Sequence, residues 1–93
     1  MLYRSLGCWN ENPNTATPLF VGKDYTNKAN AVQLCYEEAK ARGDDMFAVR
    51  NGGWCVEVPN TDYELHGKAK NCRDGKGGAW ANDIYQVGGK LGS

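Results

Sequence analysis

Four cysteines in 93 residues, Cys8, Cys35, Cys55 and Cys72, constrain this chain more than any other feature. They are widely separated, with no CxxC pair, whereas structural zinc sites bring their ligands in close pairs so that one tight turn presents two sulfurs to the ion. Two disulfides are therefore expected, and with them an oxidising, extracellular location for a secreted protein. A chain of this size buries only about 60% of its unfolded surface. With 41% hydrophobic residues the core is thin, and each bridge adds on the order of 3 kcal/mol.

Four cysteines allow three pairings, so the local elements are needed to choose. Residues 2–9 are apolar-rich and read as an opening strand, residues 10–17 as an Asn/Pro loop, and residues 18–21 as a short edge strand. A helix is predicted over residues 28–42, capped by Thr26 or Asn27 and stopped by Gly43. Its apolar face is Ala29, Val32, Cys35, Tyr36 and Ala39, recurring at three- and four-residue steps. Residues 46–50 and 53–58 are β-prone and flank Asn51-Gly52, whose two residues suit the positive φ of a type I′ hairpin turn. Pro59 ends the second strand. Residues 60–71 read as irregular, with a helical turn near Tyr63, and 73–79 as a glycine-rich loop. A last strand covers 83–87, with Ile84 and Val87, or Asp83, Tyr85 and Val87, giving its alternating faces. Residues 1–88 then form one module and 89–93 a linker. The fold class is α+β: one amphipathic helix on a small, mainly antiparallel sheet. A Cys35–Cys55 bridge would pin the helix to its best strand, which leaves Cys8–Cys72 to tie the start of the domain to its last third.

Charge and spacing narrow the function. Eleven basic and eleven acidic residues give zero net charge, so the electrostatic attraction that drives nucleic-acid binding is missing. No apolar run reaches the roughly 20 residues of a membrane-spanning helix, so no membrane insertion is expected. The single His66 lies in a polar stretch without a thiol partner, and so small a two-layer domain lacks the deep pocket that paired carboxylates need; no catalytic residue and no enzyme activity are expected. Asp74, Asn82 and Asp83 could offer oxygens to Ca²⁺, which takes about 6 to 8 of them, but no EF-hand spacing is present, so no metal or other cofactor is expected. Trp9 and Trp54 stand beside cysteines and read as shields for the disulfides.

Trp80 is different. It ends the glycine-rich loop and precedes Asn82 and Asp83, so an aromatic plane would adjoin an amide and a carboxylate. A sugar site uses that combination: the ring covers the apolar face of a pyranose and the polar groups bond its hydroxyls. Trp80, Asn82, Asp83, Tyr85 and Asp74 are the candidate ligand-binding residues. The competing structural reading has Trp80 folding back to plug the sheet edge.

Residues 7–9 (GCW), the helix carrying Ala31 and Cys35, residues 46–55 (MFAVRNGGWC) and residues 74–85 (DGKGGAWANDIY) together resemble a small four-cysteine extracellular module that recurs in cnidarian and other marine invertebrate proteins. The cysteine order is also similar to that of the apple/PAN and WSC modules, which usually carry more cysteines. The resemblance implies secretion, and a binding role toward a glycan or an extracellular protein rather than catalysis. A lectin-like module is the leading expectation. The alternative is an extracellular matrix or adhesion module that binds protein through an exposed strand edge and has no sugar site.

Overall fold

The computed structural model describes residues 2–11, 19–58 and 63–88. Along the chain run strand β1 (Tyr3–Asn10), strand β2 (Leu19–Asp24), helix α1 (Ala31–Arg42), strand β3 (Met46–Arg50), strand β4 (Trp54–Val56) and strand β5 (Ala81–Val87). The strands form one sheet in the order β1-β5-β3-β4-β2, with every neighbouring pair antiparallel. The last strand in sequence thus lies between the first and the third. The α+β class, the single helix and the antiparallel sheet agree with the sequence reading.

Successive side chains on a strand point to opposite faces, and here both faces are used. Phe47 and Val49 of β3, Cys55 of β4, and Tyr85 and Val87 of β5 meet Cys35, Tyr36 and Ala39 of α1 in the main core. Phe47 and Tyr85 stack with centroids 5.0 Å apart, and Tyr3 of β1 meets both rings edge-on at 5.9 and 5.5 Å. Ala48, Val56 and Ile84 form a smaller cluster on the other face, flanked by Leu6, Trp9, Met46, Trp54 and Tyr63.

The helix begins at Ala31, later than predicted, and of the two expected caps Thr26 is engaged elsewhere. The Asp24 carboxylate accepts hydrogen bonds from the Thr26 amide and hydroxyl, and the Lys28 N–H donates to the Tyr25 carbonyl at 2.9 Å. Asn30 is the N-cap, without a side-chain capping bond. Ala29 is consequently exposed, and Ala31 takes its place against the sheet. Gly43 ends the helix as expected, at φ 78°, and the Asp44 N–H closes back on the Ala39 carbonyl at 2.9 Å.

The Asn-Gly turn also forms. Asn51 and Gly52 have φ 54° and 87°, the Gly53 N–H donates to the Arg50 carbonyl at 3.1 Å, and the ladder resumes at Arg50 opposite Trp54. Gly53 is thus an extra residue between the turn and β4. A Cβ there would come within 2.7 Å of the Tyr25–Thr26 backbone.

Both disulfides are as predicted. Cys35–Cys55 joins α1 to β4 inside the core with Cα atoms 5.2 Å apart, and Cys8–Cys72 joins β1 to the segment before the glycine loop with Cα atoms 6.1 Å apart. The tryptophans beside these cysteines do not shield them. Strand alternation turns Trp9 and Trp54 to the face away from α1, opposite to Cys8 and Cys55. No helix among the described residues is long and apolar enough to cross a membrane. The expectations for residues 12–18, Pro59, 60–62 and 89–93 lie outside the described residues.

Candidate functional site

The face away from α1 carries a row of side chains in cross-strand register. Trp9 of β1 lies opposite Asn82 of β5, Asn82 opposite Arg50 of β3, Arg50 opposite Trp54 of β4, and Trp54 opposite Asp24 of β2. Directly paired residues lie about 5 Å apart and interact across the sheet. The row therefore holds two indoles with a guanidinium and an amide between them.

Arg50 is its centre. The side chain is buried and donates from Nη1 to Glu11 Oε1 at 2.7 Å, with both partners largely removed from solvent. Its guanidinium carbon lies 5.4 Å from the Trp80 ring centroid and 5.9 Å from that of Trp54, within range of cation–π attraction to both. Beside it, Asn82 is 6% exposed, and its Oδ1 is buried without a hydrogen-bond partner among the described residues. At the β1 end, the Lys68 ammonium lies 5.3 Å from the Trp9 ring.

Trp80 completes the site from the loop. It is 48% exposed and holds φ 51°, a left-handed conformation that a bulky L-residue keeps only when its surroundings impose it. The surroundings do so. The Trp80 carbonyl accepts the Glu11 N–H at 2.9 Å, Ala81 and Gly78 exchange backbone bonds at 3.1 and 3.0 Å, and the Asn51 and Gly52 N–H groups donate to the Gly78 and Lys76 carbonyls. The glycines permit this approach: a Cβ on Gly77 would lie 2.6 Å from the Arg50 Cα. The loop is thereby seated on the β3–β4 turn and carries Trp80 over Arg50.

The predicted residues divide between the two faces. Trp80 and Asn82 belong to this site. Asp83 and Tyr85 do not, because strand alternation directs them toward α1, where both are buried. They hold the loop from beneath: Asp83 Oδ2 accepts the Gly77 N–H at 2.9 Å and the Tyr85 hydroxyl donates to the Gly75 carbonyl at 2.6 Å. Burial raises the Asp83 carboxyl above its ordinary range, against the lowering effect of the Gly77 bond. Burial, followed by the nearby Asp83 charge, raises the Tyr85 hydroxyl further. Asp74 is exposed, with φ 55°, and adjoins Gly75, whose carbonyl accepts the Tyr85 hydroxyl and where an added Cβ would meet Tyr85 and Val32. Of the residues considered for calcium, Asn82 and Asp83 project to opposite faces of β5 and do not converge. Cys8, Cys72 and Asp83 bring ligand-type atoms within 4.8 Å of one another, but the two sulfurs are bonded to each other and are not thiolates.

Sequence reasoning missed Arg50 and Glu11. A charged residue closing the otherwise apolar MFAVR strand was the visible signal for Arg50. Its partner, 39 residues earlier, had none. No protein-family model matches this chain, and no curated protein matches it.

Proposed function

We propose that the chain is a secreted, non-catalytic binding module that takes carbohydrate on the face carrying Trp80. One observation carries the reading: a half-exposed indole is held in a left-handed backbone and rests on a buried, ion-paired guanidinium. A bulky residue kept in so unfavourable a conformation is the kind of strain found at binding sites. A fixed aromatic plane loses little freedom on stacking against the apolar face of a sugar ring. Two disulfides support an oxidising, extracellular setting. Such a site needs no proton transfer, consistent with a non-catalytic role.

The test is retention on a printed panel of neutral, sulfated and uronic-acid oligosaccharides, comparing the wild-type protein with Trp80→Gly. Glycine suits the positive φ and removes only the ring. Retention by the wild type and its loss in the variant is the expected result. Failure of the wild type to retain any glycan, or equal retention by both proteins, would refute the reading, and the first outcome would favour the protein-interaction module instead.

A further inference from the structure

Asn82 Oδ1 poses a requirement that the protein's described residues leave unmet, and Arg50 is its cross-strand neighbour. Oδ1 is a buried acceptor with no donor, in a residue more than nine-tenths buried, and buried polar groups in folded proteins are almost always paired. Its cross-strand neighbour Arg50 has five N–H donors, of which one hydrogen bond, to Glu11, is made among the described residues. An unmet buried acceptor thus stands beside a guanidinium with N–H donors beyond its Glu11 bond, between Trp54 and the half-exposed Trp80.

We infer that Asn82 and Arg50 read a hydroxyl of a neutral oligosaccharide laid across the strands, between the Trp9 and Trp54 ends of the row. The inference rests on the glycan reading above and specifies its ligand. A hydroxyl both accepts and donates, so one such group can take an N–H from Arg50 and give its proton to Asn82. Neither charged alternative does both. A sulfate or carboxylate accepts from Arg50 but has no proton for Asn82, and it must also displace or approach Glu11. An ammonium can donate to Asn82 but meets the guanidinium charge. Because Arg50 is already paired with Glu11, its own charge is largely offset toward an acidic sugar. Trp9 and Trp54 are three interstrand steps apart, about 14 Å at about 4.8 Å per step, a span that suits several sugar rings rather than one. Asn82 Oδ1 is closed to solvent without a ligand, so binding requires neighbouring side chains of the row to move aside.

The experiment uses the same printed panel at low and high salt, with the wild type, Asn82→Leu and Asn82→Ala. The wild type should retain neutral oligosaccharides with little salt dependence. Asn82→Leu should weaken that retention at least about tenfold, the worth of a buried hydrogen bond. It should also melt at or above the wild-type temperature, because it removes an unpaired buried acceptor at similar volume. Asn82→Ala serves for binding if leucine does not fit. Trp80-dependent retention confined to acidic sugars, or neutral retention unchanged in the Asn82 variants, would overturn this inference while leaving the glycan reading intact. Failure of the wild type to retain any sugar would overturn both.

Discussion

Trp80 allows the balance between packing and backbone strain to be measured at one position. A fully buried tryptophan covers about 150 to 250 Å², and this one is 48% exposed, so about 100 Å² is removed from water. At about 25 cal/mol per Å² that burial contributes about 2.5 kcal/mol, and the stack on Arg50 adds about 0.5 to 1 kcal/mol. Trp80→Ala should therefore cost about 3 kcal/mol. Alanine remains strained at φ 51°, whereas glycine is not, and the left-handed conformation costs an L-residue about 1 to 2 kcal/mol. Trp80→Gly should thus lie about 1 kcal/mol above Trp80→Ala, although it is the smaller residue and in a helix or strand interior would be the worse one. For a domain of this size, each kcal/mol moves the melting midpoint by about 4 to 8 °C. Thermal unfolding followed by circular dichroism should then rank wild type, Trp80→Gly and Trp80→Ala in descending order, with resolvable gaps. An alanine variant as stable as the glycine variant would refute the strain argument. A loss below about 1 kcal/mol in the alanine variant would show that the ring is not packed on Arg50.

Three further outcomes follow from named contacts. Gly43 and Gly77 have nearly equal φ, 78° and 75°, but a Cβ on Gly43 meets nothing within 4 Å whereas one on Gly77 meets the β3 backbone; Gly43→Ala should cost about 1 kcal/mol in urea unfolding and Gly77→Ala at least about 2, through added overpacking, and equal losses would refute the crowding. Burial raises the folded-state carboxyl of Asp83 above its unfolded value of about 3.9, so the folded state binds more protons and its stability declines as pH rises from about 4 through the raised value. Asp83→Asn keeps an acceptor for Gly77 and should gain on the wild type as pH rises to neutrality and converge with it near pH ~3. The lowered Asp24 carboxyl acts in the opposite direction, losing its stabilisation as pH falls, but it is common to both proteins and cancels in their difference; a difference independent of pH would be the contrary result. Cys35–Cys55 is fully buried and Cys8–Cys72 partly open, so limited reduction followed by alkylation should label Cys8 and Cys72 first, and first labelling at Cys35 or Cys55 would contradict the burial.

What the sequence determined by itself was local chemistry and, through it, fold class. Asn51-Gly52 specifies its turn because both residues tolerate positive φ, and Gly43 stops the helix for the same reason. The three-and-four spacing through Cys35, Tyr36 and Ala39 marks the buried stripe of α1. Once Cys35 lay on that stripe and Cys55 in a strand, their pairing followed, and Cys8–Cys72 with it. Even here the structure departs from the local reading: Asp24 engages Thr26, and the helix begins only at Ala31. Tertiary structure alone decided the strand order, with β5 between β1 and β3, and thereby the site. That insertion brings Trp9 and Arg50 to either side of Asn82, sends Asp83 and Tyr85 to the helix face, and sets Glu11 against an arginine far along the chain. Period-two alternation indicates which residues share a face, but not which face meets the helix or which strand lies alongside. Those choices are made by burial summed over the whole sheet, a quantity that no short stretch of sequence contains.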